Sequence, residues 1–387
     1  MFCHDERKQP GMKIGIGISS NPVAWEAGQE AARQALCGSG AAVLGILLIT
    51  DQYEPRAVLA SVRSALGGAK IVGACTAGIF TADECLEQGV GILTLAGEGL
   101  TATTVLENYA DGDAWIAGLR LGQQLLAAGQ REGTLICFPD GLTGNITRLL
   151  EGLYNAAGPD FVYGGGGTGD NLRFLRTCQL TEQDVSAHAV AAALLQGVTM
   201  AEGVAHGWEA AGAPLIVTNA KGKIVYELDG RPAFEVYSER LGGVTPDRFA
   251  DFAMRYPLGV SYGFGQFVIR DPLRLMPDRS MEFVTEVPNR AVAYIMKPRA
   301  DRDFELATEL THRTLANLAA VPRFALVNYC VSRSLLLGPG YRDEIRALLR
   351  PLGSGFPVLG SLAFGEIGSY YQVPQVHNKS IGLLVGG

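Results

Sequence analysis

Three glycine-rich turns contain the residues best suited to bind a small molecule. They read GACTAG at 73–78, GGGGTG at 164–169 and GSLAFG at 360–365. Because glycine has no Cβ, the N–H groups of such turns can approach a carboxylate or phosphate closely. Strand glycines also mark close packing of sheets, and the sequence leaves both roles open. The candidate ligand contacts in and beside the first two turns are Gly73, Cys75, Thr76, Gly78, Gly165, Gly167 and Asp170.

A second group of polar residues follows the third turn. Gly365-Glu366 and His377-Asn378, together with Arg333, offer donors and an acceptor that suit an amino-acid-like ligand. A polar network that supports the last strand is the alternative.

Cysteine chemistry is a further possibility. Arg333 stands three residues after Cys330, where it would lower the thiol pKa, and Cys75 lies in a glycine turn that would act as an oxyanion hole. The favoured interpretation is that both cysteines are buried and unreactive. HExxH, GxSxG, Walker A and paired-carboxylate motifs are absent from the sequence, so we expect no enzymatic activity.

Two histidines are candidate haem ligands. His206 precedes Gly207-Trp208 in an apolar stretch, and His312 falls within a predicted helix. A hydrogen-bonded structural role for His206 and simple exposure of His312 are the alternatives. Haem is therefore a possible cofactor, and the sequence indicates no other.

Composition narrows the partners and the compartment. The chain has 387 residues, 32 Lys plus Arg against 39 Asp plus Glu, and a net charge of −7, which argues against nucleic acid or anionic lipid as partner. No segment resembles a signal peptide or membrane span. Seven cysteines without CxxC spacing indicate reduced thiols in the cytoplasm; they are Cys3, Cys37, Cys75, Cys85, Cys137, Cys178 and Cys330.

The elements that must position these residues form an internal repeat. The order strand, helix, strand, helix, glycine-rich strand, strand occurs three times, opening at 12–18, 101–107 and 291–297. Residues 198–290 do not fit it and are predicted to form a β-rich insert. Most strands are apolar on both faces, which predicts an α/β fold of stacked mixed sheets flanked by helices.

Two long stretches resemble the paired FIST domains. The first is AHGWEAAGAPLIVTNAKGKIVYELDGRPAFEVYSERLG at 205–242. The second combines FALVNYCVSRSLLLG, EIRALL, GSLAFGEIG and VHNKS in the C-terminal part. The resemblance covers nearly everything after Met12 and implies a FIST N-type domain at 12–228 and a FIST C-type domain at 229–387.

The resemblance implies a sensory protein without a fused output domain. Such domains are regarded as intracellular modules that bind small ligands and act with histidine kinases or with cyclic-di-GMP enzymes, namely diguanylate cyclases and phosphodiesterases. A bacterial subset binds haem and senses nitric oxide, and an animal relative recruits substrates for ubiquitylation. We therefore expect a ligand cleft lined by the glycine turns and the His377 segment, with a haem-based nitric-oxide sensor, an interaction scaffold and a cysteine-dependent enzyme as alternatives.

Overall fold

The computed structural model describes residues 11–36, 40–109, 112–143, 145–300 and 304–387. Within these ranges the chain forms the predicted α/β architecture of mixed sheets flanked by helices. Cys3 and Cys37, both predicted to be reduced thiols, lie outside the described residues.

The first unit follows the predicted order. Its second helix begins at Pro55, directly after Glu54, whose carboxylate accepts the N–H of Arg56 and so caps the helix. The elements of this unit are β1 (Lys13–Ser19), α1 (Ala24–Leu36), β2 (Leu44–Thr50), α2 (Pro55–Leu66), β3 (Lys70–Thr76), β4 (Ile79–Phe80), β5 (Cys85–Leu86) and β6 (Val90–Ala96).

The second unit repeats this order element by element. Asp113 caps its first helix by accepting the N–H of Trp115. The elements are β7 (Thr101–Asn108), α3 (Ala114–Leu125), β8 (Gly133–Pro139), α4 (Ile146–Ala157), β9 (Phe161–Gly166), β10 (Gln179–Thr181), β11 (Val185–Ser186) and β12 (Ala189–Gln196).

The third unit is divided by the insert, which follows its first strand. Its elements are β13 (Met200–Ala205) and, after the insert, α7 (Glu305–Asn317), β23 (Phe324–Cys330), α8 (Val331–Leu337), α9 (Tyr341–Leu349), β24 (Val358–Ala363), β25 (Glu366–Tyr370), β26 (Val373–His377) and β27 (Ile381–Gly386).

The insert builds a nine-stranded sheet with a core of its own. Its elements are β14 (Trp208–Ala210), β15 (Leu215–Lys221), β16 (Ile224–Leu228), β17 (Arg231–Pro232), α5 (Ala233–Arg240), α6 (Phe249–Arg255), β18 (Leu258–Gly263), β19 (Gln266–Arg270), β20 (Pro272–Leu275), β21 (Met281–Phe283) and β22 (Val292–Pro298).

One boundary of the predicted repeat is wrong. The segment 291–297 was expected to open the third unit, but β22 pairs with β15 and β18 inside the insert sheet. The strand that takes this place is β13, which pairs antiparallel with β27 at the edge of the third sheet. Both segments are short, and strand pattern alone does not show which sheet a strand joins.

The three units exchange hairpins in a cycle. The sheet orders are β1-β6-β2-β3-β10-β11, β7-β12-β8-β9-β25-β26 and β13-β27-β23-β24-β4-β5. Each sheet is therefore completed by the hairpin that follows the glycine turn of another unit. This exchange brings the three glycine turns to the contacts between the sheets.

The central strands of the three sheets are buried on both faces, as in β2, β6, β23 and β27. Leu48, Ile136 and Leu326, one from each sheet, belong to a single central cluster. The outer faces of the three sheets pack against α1 and α2, α3 and α4, and α7 and α9, respectively. Within the described ranges, no helix has the length and apolar character needed to cross a bilayer.

Candidate functional site

The glycine turns meet one another, but their backbones are closely packed. The N–H of Gly167 donates to the carbonyl of Gly365 at 2.8 Å, and the N–H of Phe364 donates to the carbonyl of Gly167 at 2.9 Å. A Cβ at Gly167 would lie 2.2 Å from the Phe364 oxygen. Added Cβ atoms at Gly73 and Gly165 would lie 2.0 and 1.9 Å from backbone oxygens of neighbouring strands. At these positions glycine permits close packing of strands.

The other predicted contacts of the first turn also have packing roles. Cys75 forms a disulfide with Cys178, so the expectation of reduced thiols is wrong for this pair, and Cys75 is not a free nucleophile. The Thr76 hydroxyl donates to the Leu362 carbonyl at 2.8 Å. A Cβ at Gly78 would lie 2.9 Å from the Leu362 side chain.

Asp170 organises a loop, residues 171–176, that we call the roof loop. Its buried carboxylate accepts the backbone N–H groups of four successive residues at 2.8–3.2 Å. Burial alone would raise the pKa of Asp170, but these four donors outweigh it and lower the pKa. Leu172 and Phe174 have φ values of 60° and 55°, so the loop is held in a strained conformation.

A cavity of about 190 Å³ lies under the roof loop, between the third unit and the insert; we call it the first cavity. Its apolar wall includes Leu172, Phe174 and Phe364, and the two phenylalanine rings pack edge to face with centroids 5.7 Å apart. Of the predicted site residues, the structure brings Cys330, Gly365 and Asn378 together on this wall.

An ion pair forms the polar end of the first cavity. Lys379 Nζ lies 3.1 Å from Asp271 Oδ1, and both residues are buried. The Ser332 hydroxyl donates to Asp271 Oδ2 at 2.6 Å and lies 3.0 Å from Lys379 Nζ. Burial raises the pKa of Asp271, and the charge of Lys379 and the Ser332 hydroxyl offset only part of this effect. Asp271 and Ser332 line the cavity, whereas Lys379 is fully buried and reaches the cavity only through its contacts with these two residues.

Cys330, Glu366 and Asn378 belong to the same polar layer. The thiol of Cys330 is buried, and burial together with the charge of Glu366 raises its pKa well above the ordinary value. Burial also raises the pKa of Glu366, although its carboxyl group accepts the Ser380 hydroxyl at 2.6 Å. Asn378 Oδ1 accepts the hydroxyl of Thr285 at 2.7 Å. These contacts are those of a supporting polar network.

Arg333 does not line the first cavity. Its Nε donates to Glu344 Oε2 at 2.6 Å, and its Nη1 donates to the carbonyl of His206 at 2.8 Å. Both charged side chains are buried, with 6% and 0% exposure. Arg333 therefore holds α8 against α9 and the start of the insert.

His377 is fully buried behind the Tyr370 ring, whose centroid is 4.9 Å away. Neither ring nitrogen has a hydrogen bond of normal geometry among the described residues. Burial, followed by the nearby Arg270 and His206, lowers the pKa of His377 to about 3. The imidazole is therefore neutral at physiological pH. His377 does not line the first cavity.

His206 lines a different space of about 350 Å³, which we call the second cavity. Its Nδ1 accepts the N–H of Trp208 at 3.0 Å. This cavity is lined largely by charged and polar groups, whereas a haem macrocycle needs apolar contacts on both faces. The residues therefore do not fit haem, and His312 is an exposed residue of α7. No group of three or more potential metal ligands occurs in the part of the chain that the structure describes.

Exposed apolar side chains surround the mouth of the first cavity; we call them the rim. Leu273 and Leu335 line the cavity and are 50% and 51% exposed. The roof loop adds Phe174 at 52% and Leu175 at 76% exposure. Apolar residues clustered in this way are typical of a surface that contacts a partner.

Sequence reasoning missed the charged end of the first cavity. Lys379 stands in VHNKS and Ser332 in CVSR, two stretches that carried the family resemblance, but neither residue was singled out. Asp271 lies in the insert, where no motif marks it. Lys and Asp are mostly exposed in proteins, so their burial as a pair becomes visible only in the folded chain.

Comparison with known proteins gives the same family over most of the chain. The FIST N domain model matches residues 43–231, and the FIST C domain model matches residues 233–369. The uncharacterized protein Rv0628c of Mycobacterium tuberculosis is 28% identical over 378 residues, covering 92% of this chain and 95% of its own length. The uncharacterized protein MJ1623 of Methanocaldococcus jannaschii is 21% identical, covering 90% of this chain and 69% of its own. The domain boundary at 228/229 stays a prediction.

Proposed function

The chain belongs to the FIST family, whose domains are generally sensory and signal-transduction domains, and on this premise we propose that it binds a small amino-acid-like ligand and thereby regulates a signalling protein. The partner class is a histidine kinase or a cyclic-di-GMP enzyme, and the proposed compartment is the cytoplasm. The observation that carries the proposal is the first cavity, which has an apolar wall, a charged end and a loop over it.

The size of the first cavity favours a small ligand. Cavities that bind drug-sized molecules usually exceed about 300 Å³. An apolar cavity of about 150 Å³ is large enough to hold benzene. A space of about 190 Å³ therefore suits a molecule with a small apolar body and a compact polar head.

The charged end favours a ligand that carries both charges. Asp271 offers a carboxylate to an ammonium group, and Lys379, behind Ser332, offers a positive charge to a carboxylate. An amino acid presents both groups on one carbon, with its side chain free to contact Leu172 and Phe364. Recognition of this head group by paired hydrogen bonds and charges would give the cavity its specificity.

The roof loop and rim provide the route to a partner. A ligand under Leu172 and Phe174 contacts the same loop that exposes Leu175 at the surface. If the ligand binds one conformation of this loop better than another, it shifts the population that a partner meets at the rim. The signalling protein is therefore proposed to dock on the rim.

The proposal contains no catalytic step. The Cys330 thiol has a raised pKa, so little of the reactive thiolate is present at neutral pH. The Ser332 hydroxyl donates a hydrogen bond to Asp271, and Lys379 forms an ion pair with the same carboxylate. This arrangement supports binding and does not activate a nucleophile.

Native mass spectrometry of the purified chain, incubated with a mixture of the common amino acids, tests the proposal. We expect one amino acid to remain bound to the wild-type chain. Leu335→Trp, which fills the mouth of the cavity from a half-exposed position, abolishes this binding. Ile116→Trp is the matched control, since Ile116 is an exposed apolar residue on α3, outside the cavity.

Two outcomes would overturn the proposal. One is that the mass spectrum of the wild-type chain in the mixture shows no bound amino acid. The other is an adduct that Leu335→Trp and Ile116→Trp retain equally. Either result would favour a scaffold that uses the rim without a ligand.

A further inference from the structure

The second cavity is separate from the first and lies on the other side of α8. It is bounded by β13, α7 and the start of the insert, and its volume is about 350 Å³. Ser332 and Leu335 of α8 face the first cavity, whereas Arg333 of the same helix donates to the carbonyl of His206, which lines the second. The second cavity can therefore be tested independently of the first.

Two buried polar atoms that belong to residues lining this cavity have no partner among the described residues. They are the indole Nε1 of Trp208, a residue only 6% exposed, and Oε2 of Glu202. The other carboxylate oxygen of Glu202 accepts the N–H of Ser369 at 3.1 Å. A buried donor or acceptor without a hydrogen bond costs free energy. These two atoms therefore point to a polar group of a ligand that binds there.

The cavity also has an excess of cationic and donor groups. Arg313 donates to the carbonyl of Val204 at 3.0 Å, and its charge acts on the Glu202 carboxyl of the same cavity, but among the described residues it forms no ion pair within 4 Å. Arg299 has Glu309 at 3.9 Å, the outer limit of an ion pair. Because His206 Nδ1 is an acceptor, its Nε2 carries the proton and adds another donor.

We propose that the second cavity is a distinct binding site for a small organic anion, a carboxylate or a phosphate, held by the guanidinium groups of Arg299 and Arg313. Guanidinium groups bind both kinds of anion through paired, charge-assisted hydrogen bonds. The uncharged part of the ligand lies against Trp208 and Tyr370, and its polar substituents pair with the free atoms of Trp208 and Glu202.

Trp208 allows this proposal to be tested by fluorescence. The chain has three tryptophans, so Trp25→Phe with Trp115→Phe leaves Trp208 as the only indole. This variant is titrated at constant ionic strength with benzoate, with phenyl phosphate and with the uncharged benzyl alcohol. We expect a saturable change with at least one anion and at least about tenfold weaker binding of the alcohol. The anion that binds with the higher affinity shows whether the site prefers a carboxylate or a phosphate.

Arginine variants in the single-tryptophan chain show where the anion binds. Arg313→Gln weakens binding at least about tenfold, since the main charged contact is lost. Arg346→Gln is the matched control, because Arg346 is an exposed arginine on α9 whose partner is Asp343. Leu335→Phe, which narrows the mouth of the first cavity without adding a second indole, leaves binding of the anion unchanged. Circular dichroism confirms that each variant is folded.

Three results would overturn the proposal. The first is that neither anion produces a saturable change in fluorescence. The second is that Arg313→Gln and Arg346→Gln weaken binding equally, which would indicate general charge attraction. The third is that hemin gives a Soret band that requires His206 while neither anion binds. Failure of the first cavity to bind an amino acid would not affect any of these readouts.

Discussion

Arg333 and Glu344 form a buried ion pair that joins the start of α8 to α9. Arg333 Nε donates to Glu344 Oε2 at 2.6 Å, and the same oxygen accepts the hydroxyl of Tyr329. In the sequence, Arg333 is a candidate ligand contact beside Cys330. In the folded chain its charge is already satisfied, and it positions the helix that separates the two cavities.

Arg333→Met is expected to destabilise the chain by about 3–5 kcal/mol, because Glu344 is then left as an unpaired buried charge. Urea unfolding at pH 7 measures this loss. Arg346→Met removes an exposed pair with Asp343 and is expected to cost no more than about 0.5 kcal/mol. Equal stability of the two variants would show that Arg333 is free to bind a ligand after all.

Gly167→Ala is expected to reduce the free energy of unfolding by at least about 2 kcal/mol. The new Cβ would lie 2.2 Å from the Phe364 oxygen, and a backbone atom cannot move aside as a side chain can. Gly68→Ala is the control, since its Cβ would have nothing within 4 Å. The two variants are compared by thermal unfolding, and a neutral Gly167→Ala would mean that the turns are open.

Asp170→Asn is expected to loosen the roof loop. Hydrogen bonds to a charged acceptor contribute about 1.5–3 kcal/mol each, and the loop also has to maintain positive φ at Leu172 and Phe174. Trypsin should therefore cut after Arg173 or Arg176 at least about tenfold faster than in the wild type. Asp184→Asn, at an exposed turn of the β10–β11 hairpin, controls for the loss of a surface charge. Unchanged cleavage would contradict the role given to Asp170.

His377 is expected to make the chain sensitive to acid. Its pKa is about 3 in the folded chain and about 6.5 when unfolded, so the unfolded state binds the proton first as the pH falls. Between pH 6.5 and pH 4 the wild type should therefore lose about 3 kcal/mol relative to His377→Leu. Urea unfolding of both chains across this range measures the difference. Parallel pH profiles would show that His377 is not buried in its neutral form.

The order of the elements could be predicted from the sequence, but their partners could not. Apolar runs and helical stripes predicted the repeated order of strands and helices and the β-rich insert. The exchange of hairpins depends on contacts between distant segments, such as β24 with β4, which no local pattern encodes. For the same reason β22 was assigned to the wrong sheet.

The candidate site was predictable only in part. Cys330, Gly365 and Asn378 were singled out by residue type and do lie on one cavity wall. Gly73, Gly165 and Gly167 were chosen because they belong to the glycine-rich turns, but in the structure they permit close packing of backbones. The sequence cannot separate these roles, because a glycine that admits a ligand and one that admits a neighbouring strand look identical.

Hydrogen–deuterium exchange of the roof loop shows whether a ligand in the first cavity changes the conformation of the rim. We expect a mixture of the common amino acids to slow exchange of the amides of residues 171–176 in the wild type and to leave exchange in Leu335→Trp unchanged. Identical exchange of these amides in the wild type with and without the mixture would contradict it.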